Sequence, residues 1–396
     1  MKPNDLYQSP NALAKYYQRF SVDKRCLLTG HSHQAWPDCS RDAQLNAWDD
    51  AAEYVDDKWE KVFAQTDKVR NAFFELMDDD SGYLCFGQNT HELLVRFLSA
   101  LPFADRPEIL TTNGEFYSIQ RQLKRLSEED IIINYVNSNP TVDVIPQLIE
   151  KLNHNTAAVL VSSVFFQSGE ILKDLAELSI ACQENGVILL VDAYHQLNVV
   201  PFSVKDLKLE HAYVLAGGYK YCQLGEGVCF LRYPKDCQMR PVVTGWFADF
   251  EHLDDLAFDE LVYYDQGNNR FAGATFDPVS YYRAAEVFDF FKQQKLTPEI
   301  LREVSQHQIS LLIDRFDALS LNPNVIQRDD NILVKQIAGF LSLKSKNAKQ
   351  YSAALKSEGV FTDVRGDVLR LGPAPYLSDS QLHEAMDIFE KVIAES

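Results

Sequence analysis

No stretch of this 396-residue chain concentrates positive charge. Lys and Arg number 38 against 57 Asp and Glu, a formal net charge of −19 at pH 7. Without a basic stripe to neutralise phosphates, nucleic acid and anionic membrane are not expected partners. No apolar run is long enough to span a bilayer, and the opening MKPNDLYQSPNALAKYYQRF lacks the apolar core of a signal peptide. A cytoplasmic protein is the expectation. The seven cysteines are an odd number without a Cys-x-x-Cys pair, so free, mostly buried thiols are expected rather than a disulfide framework. None lies beyond Cys237. His31 and His33 form a His-x-His with no carboxylate or cysteine at zinc spacing, which predicts a loop and no metal. Repeats, low-complexity tracts and Gly/Ser linkers are also missing, so closely packed domains with a cleft between them are expected.

What is present is a rhythm. From about residue 82 to 230, short β-rich runs alternate with amphipathic stretches: YLCFG then NTHELLVRFLSAL, EILTT then FYSIQRQLKRL, IIINYV then VIPQLIEKL, AAVLVSSV then DLAELSIACQEN closed by Gly186, then VILLVDAY and AYVLAGG. The β-runs are apolar throughout instead of alternating. That pattern predicts an α/β fold with a mostly parallel sheet covered by helices on both faces. After an acidic, aromatic-rich segment (246–270), FDPVSYYRAAEVFDFFKQQ reads as a helix leaving the sheet. NILVKQ, VFTDV and VLRLG read as strands, KNAKQYSAALKSEG as a helix, and Ser378 with Gln381 as the capping box of a last helix. The expected division is an N-terminal segment (1–60) packing on the small domain, a large domain (61–280) and a small α+β C-terminal domain (281–396).

In an open α/β sheet, ligands bind beyond the C-terminal strand ends, so the polar residues there carry the chemistry. Asn89 and Thr90 follow YLCFG with Glu92 in capping position, a helix start that seats an anion as readily as it merely caps. Asp192 ends VILLV, with His195 three residues on; a carboxylate there can hold a ring nitrogen protonated or simply cap a turn. Tyr219, Lys220 and Tyr221 follow AYVLAGG, and a lysine at the end of a buried strand is costly unless paired or neutral. Taken together, these residues describe a cofactor with a phosphate, a basic ring nitrogen and an aldehyde, which is pyridoxal 5'-phosphate.

Asp-x-x-His after one strand and Tyr-Lys-Tyr after a later one resemble kynureninase and its relatives among the fold-type-I, class V pyridoxal-phosphate enzymes. GHSHQAWP (30–37) is similar to that family's Gly-Asn-Ser-Leu-Gly-Leu-Gln-Pro, RPVVTGWF (240–247) to its Arg-Pro…Gly-Trp, and DVRGDVLRLGPAPYLS (363–378) to its Asp-x-Arg…Leu-Arg-x-Ala-Pro segment. The resemblance implies that Lys220 carries the cofactor, that Asp192 faces its pyridine nitrogen, and that Asn89, Thr90 and Tyr219 hold its phosphate. It further implies that His195 lies beside the ring, that Trp246 reaches the site across a homodimer interface, and that Arg370 forks the carboxylate of an amino acid substrate. Ser32, His31 and Asp277 stand at its other substrate-binding positions. The implied reaction is hydrolytic Cβ–Cγ cleavage of kynurenine to anthranilate and alanine.

The departures fall at the substrate-selecting end. The family's Phe-Pro-x-Asp is Thr112, Asn113, Gly114, Glu115 here, so Phe116, or failing it Tyr117, is expected to stack on the cofactor ring. Ser-Asn-Pro becomes Phe276, Asp277, Pro278, and Gly-Pro-Gly becomes Gly225, Glu226, Gly227. A class V aminotransferase or a lyase acting on another amino acid is the alternative, as is a non-catalytic relative that keeps the fold for binding. A cysteine desulfurase needs a thiol in its C-terminal half, where this chain has none. Gly-x-Gly-x-x-Gly of a dinucleotide site and Gly-x-Ser-x-Gly of a serine hydrolase are both missing.

Overall fold

The computed structural model describes residues 1–253 and 261–395. A helical turn α1 (Asn4–Tyr7) and strand β1 (Cys26–Leu27) precede helices α2 (Cys39–Tyr54) and α3 (Lys58–Leu76). Then follow β2 (Gly82–Gly87), α4 (Thr90–Leu98), β3 (Glu108–Thr112), α5 (Tyr117–Leu126), β4 (Ile132–Val136), α6 (Val144–Lys151), β5 (Thr156–Ser162) and α7 (Leu175–Glu184). Strands β6 (Ile188–Asp192), β7 (Tyr213–Gly217) and β8 (Cys229–Pro234) complete this region. Helices α8 (Val279–Gln294) and α9 (Pro298–Ala318) lead to β9 (Leu341–Lys344), α10 (Ala348–Ser357), β10 (Val360–Phe361), β11 (Asp363–Arg365), β12 (Val368–Leu371) and α11 (Asp379–Ala394).

Seven strands form one sheet in the order β2-β8-β7-β6-β5-β3-β4. Only β8 runs against its neighbours; the other pairings are parallel. Alternate residues of β5 explain why the strand reads as continuously apolar. Val159 and Val161 pack with Val144, Leu148, Leu175 and Leu178 of α6 and α7. Ala158 and Leu160 pack with Leu93, Phe97, Ile119 and Leu123 of α4 and α5 on the opposite face. Both faces are therefore dry, as the sequence predicts.

The C-terminal region builds a second sheet, β11-β12-β9, all antiparallel. The N-terminal strand joins this end of the molecule: β1 pairs in parallel with β10, and Thr29 bridges Gly372. His31 is thereby carried beside Asp363 of β11 and against the Phe340 ring.

Two sequence expectations need correction. NILVKQ is not a strand, because the Asn331 amide is taken by Asp329 Oδ1 (3.0 Å) and the Leu333 amide by Gln336 Oε1 (3.2 Å), closing a turn over Val334–Gln336. The strand forms instead from Leu341–Lys344, whose Leu341 and Leu343 are buried while Ser342 is less so. Strand β8 was also missing from the sequence reading, because the glycines and acidic residue of the preceding loop obscure the start of CFLRYP. Its insertion makes β2 a sheet edge.

Candidate active site

The parallel strands end together, and their C-terminal ends form the floor of a cavity. Asp192 ends β6 opposite Ser162 of β5, its register partner. Lys220 lies in the loop joining β7 to β8, two adjacent strands, so its backbone is pinned on both sides. Gly217, which ends β7, is required by its neighbour: a Cβ there would lie 1.9 Å from the Tyr194 hydroxyl. Lys220, Asp192, His195, Tyr219, Thr90 and Ser162 supply the polar wall of the cavity. Phe116, Val164, Phe166 and Tyr194 supply the apolar and aromatic one.

Lys220 is buried, and burial pushes its pKa down to about 7; the charges of Arg370 and Arg365 push the same way, against the pull of Asp192. Its Nζ is 2.9 Å from His195 Nε2 and sits over the Tyr194 ring, 4.6 Å from the centroid. Burial, then Lys220 and Arg370, hold His195 well below the usual histidine range, so the imidazole is neutral and accepts from Lys220. His195 Nδ1 is buried without a hydrogen-bond partner among the described residues. Asp192 accepts the Tyr194 amide (2.9 Å), and burial raises its pKa against that bond and Lys220. A buried carboxyl and a weakly basic amine thus line one cavity with an unsatisfied imidazole nitrogen.

Arg370, on β12, is buried, with Nη1 donating to the Phe166 carbonyl (2.5 Å) and Nη2 to Asp363. Its Nε has no partner among the described residues. Asp363 also accepts from Arg365 (2.7 Å) and lies 3.4 Å from His31 Nε2. It is held well below the usual carboxylate range, because His31 and the Arg370 charge outweigh the opposing effect of its burial. His31 is fully buried against the Phe340 ring, and burial pushes its pKa down to about 3. A Cβ on Gly372 would meet His31 Nδ1 at 2.1 Å, so only glycine lets this histidine in.

The remaining expected residues are distributed as follows. Asn89 is exposed and caps α4 by accepting the Glu92 amide (3.0 Å), leaving Thr90 at the cavity wall. Phe116, and not Tyr117, lines the cavity. Ser32 contacts His33 Nδ1 (3.1 Å). Asp277 is exposed and accepts the Val279 amide (3.0 Å), and Trp246 packs on Phe247 and Phe250; within one chain neither joins the wall around Lys220. Val242 and Trp246 are among the exposed apolar residues of this region, close to a wider cleft of about 1380 Å³ bordered by Phe247, Phe250 and Phe276. Sequence reading missed Ser162, Val164 and Phe166, which sit in and just beyond an apolar run indistinguishable from strand core. It also missed His33, whose ring stacks on Tyr219 at 5.0 Å.

A flat, phosphate-bearing aldehyde finds counterparts here. Phe116, Phe166 and Tyr194 line the cavity that holds Asp192, an enclosed and weakly basic amine is available, the helix α4 starts at Thr90, and His195 Nδ1 has no partner among the described residues. Among the described residues no group of three or more His, Cys, Asp or Glu is arranged to hold a metal ion, and no helix is long and apolar enough to cross a membrane.

The family model for aminotransferase class-V matches residues 57–360. An uncharacterized aminotransferase, YcbU of Bacillus subtilis (strain 168), is 21% identical over 92% of this chain and 95% of its own length. A kynureninase of Bacillus cereus is 24% identical over 77% of this chain and 72% of its own. Among solved structures, the apo cysteine desulfurase from Thermococcus onnurineus NA1 superposes with a TM-score of 0.79 at 14% identity, covering 98% of each chain. The cystine C-S lyase C-DES, in complex with its product cysteine persulfide, gives 0.79 at 17% identity, covering 93% of this chain and 98% of its own. At these identities the structural likeness concerns the fold.

Proposed function

The chain belongs to the aminotransferase class-V family, and from that premise we propose that it is a pyridoxal-phosphate enzyme that cleaves the Cβ–Cγ bond of kynurenine or a closely related amino acid. The observation that carries this reading is Lys220: an enclosed amine, 5% exposed, with burial and the Arg370 charge lowering its pKa to about 7 against the pull of Asp192. Lys220 would carry the cofactor through its aldehyde carbon, Asp192 would meet the pyridine nitrogen, Phe116 would lie against the ring, and Thr90 and Tyr219 would hold the phosphate. Asn89 supports that seat by fixing the first turn of α4. When bound, pyridoxal phosphate supplies an electron sink for the pair left as a bond at the substrate α-carbon breaks.

The residues then divide the work. Lys220 Nζ, neutral in a large fraction near pH 7, takes the α-proton, and His195 Nε2 orients it. Arg370 receives the substrate carboxylate, exchanging one of its contacts with Asp363. From the segment after the N-terminal strand, His33 stacks on Tyr219 and His31 lies beside Asp363, the partner of Arg370. Trp246 and Asp277 would approach the site from a second copy of the chain, and the exposed Trp246, Phe250 and Val242 support such a homodimer. Seven unpaired thiols support a reducing, cytoplasmic setting. Transamination is the second reading, supported by the longer match to YcbU.

The test is a screen of the purified protein, supplied with pyridoxal phosphate, against kynurenine, 3-hydroxykynurenine and the common amino acids. Anthranilate fluorescence is read beside the cofactor's absorbance. Anthranilate with stoichiometric alanine supports carbon–carbon hydrolysis; a keto acid without alanine favours transamination; a protein that takes up no cofactor defeats both. Arg370→Met adds a sharper check. It removes a charge-assisted pair with the substrate, and kcat/KM should fall by roughly 2–5 kcal/mol of transition-state binding. Cofactor content should stay unchanged, and amines lacking the carboxylate should bind as before. A variant with normal KM would remove Arg370 from the substrate site.

A further inference from the structure

Glu115 is a buried carboxyl that the proposed chemistry leaves unused. It follows β3 in the turn opened by Thr112, is 1% exposed, and makes two short contacts to hydroxyls: Thr112 Oγ1 at 2.6 Å on Oε1 and Ser162 Oγ at 2.5 Å on Oε2. The Gly114 amide donates to Thr112 Oγ1 (3.1 Å), so the Thr112 proton is directed at Glu115. No lysine, arginine or histidine pairs with Glu115 among the described residues. The groups facing it are Thr112 on its own turn, Ser162 on β5 and Asp192 on β6, with Lys220 and His195 across the cavity. An ionised carboxylate without a cation is expensive in such a place, and a like charge on Asp192 makes it more so.

Ser162 links this carboxyl to the cavity. It is the register partner of Asp192, lines the same cavity as Lys220, and has a single proton to give. We propose that Glu115 is a proton-holding positioning residue that decides whether Ser162 offers a hydrogen-bond donor or an acceptor to the ligand in the Lys220 cavity. With its proton, Glu115 donates from Oε2 to Ser162 Oγ, and the Ser162 hydroxyl hydrogen turns into the cavity. Without it, Glu115 draws the Ser162 hydrogen onto Oε2, and only lone pairs face the ligand. One proton leaves and no other bond changes. Burial raises the Glu115 pKa from 4.5 to about 7, with Asp192 adding to it and the two hydroxyls opposing. The change therefore falls near neutral pH. The cavity then favours a ligand with an acceptor oxygen or nitrogen on the β5 side in the more acidic part of that range. That the ligand is pyridoxal phosphate rests on the proposed function; the proton on Glu115 does not.

Two measurements test this. In cofactor-free protein, urea unfolding of the wild type and of Glu115→Gln is compared from pH 5 to 8. A raised folded-state pKa gives stability that is fully present below the unfolded value and lost as pH rises through the folded one. The wild type should therefore lose on the order of a hundredfold in its folding constant relative to Glu115→Gln over this range, other groups cancelling in the difference. A flat difference would overturn the proposal. In the second measurement, the Kd of pyridoxal phosphate is read from quenching of protein fluorescence at pH 6 and pH 8. The wild type should weaken about tenfold more than Glu115→Gln, which keeps Ser162 a donor at both values. Ser162→Ala should lack the difference and bind as the wild type does at pH 8. Equal pH dependence in all three proteins would also overturn it. Should pyridoxal phosphate bind to none of them while the unfolding difference persists, the cofactor reading fails and the proton on Glu115 stands. If Glu115→Gln does not fold, the wild type and Ser162→Ala still decide the second measurement.

Discussion

Replacing Lys220 with alanine should lower turnover by about three orders of magnitude or more, since the proposed function makes one amine both the cofactor's anchor and the base at the α-carbon. Borohydride treatment of the wild type should fix the cofactor to Lys220 through a stable secondary amine, located by peptide mass; the variant should bind the cofactor and release it on dialysis. The same residue costs stability. Its folded-state pKa, about 7, lies below the unfolded value of 10.5. The folded chain is therefore penalised while Lys220 is charged, and the penalty fades as pH rises from about 7 to 10.5. Cofactor-free Lys220→Met should be more stable than the wild type by roughly 2–4 kcal/mol at pH 6, the gap closing toward pH 10. A wild-type protein as stable as Lys220→Met at pH 6, or a modified lysine elsewhere after borohydride, would displace Lys220 from its role.

The largest effect on folding is expected at Arg232. This β8 residue is fully buried, with Nε and Nη2 on the two oxygens of Asp79 (2.8 and 3.1 Å), Nη2 also on Ser81 (2.7 Å), and Nη1 on the carbonyls of Leu209, Glu210 and Ala212. Arg232→Met strands a buried carboxylate and three carbonyls, a loss of about 3–5 kcal/mol read as a fall in the urea midpoint. Adding Asp79→Leu removes the uncompensated charge, so the double variant should recover much of the loss. If the double variant were as weak as the single one, the carbonyl contacts rather than the ion pair would be the source of the stability.

The sequence exposed those parts of the molecule whose physics is local. Apolar runs of strand length separated by amphipathic stretches announce a sheet buried on both faces. The polar residues at the ends of such runs, Asp192, Lys220 and Thr90 among them, point to a site when taken together, though Asp192 and Thr90 could each cap a turn or helix alone. Phe116 could be preferred over Tyr117 only as an aromatic near the right turn; its place on the wall depends on how α5 is oriented. Glu115 was seen as a departure from a resembling family and not as a buried acid, because its partners Thr112 and Ser162 are brought together by sheet order, which spacing does not encode. Arg370 looked like a free fork. Its contact with Asp363 is local, between register partners of β11 and β12, but its bond to the Phe166 carbonyl joins segments 204 residues apart, beyond the reach of any local pattern. NILVKQ shows the converse: a short apolar run becomes a turn when Asp329 before it and Gln336 at its end capture its amides.

The pairing of β1 with β10 sets an order on biosynthesis. At about 5–20 residues per second, a ribosome reaches Val360 roughly 20–70 s after Cys26 has been made. For that interval Cys26 and Leu27 have no strand to join, and Thr29 lacks the Gly372 bridge that carries His31 into place. The seven-stranded sheet through β8 is synthesised well before this, so the helix-covered layers can condense while the N-terminal segment waits. The N-terminal segment is then fixed by contacts as distant as that of Asn11 with the Pro375 carbonyl, 364 residues apart, and pairing of that range is slow to nucleate.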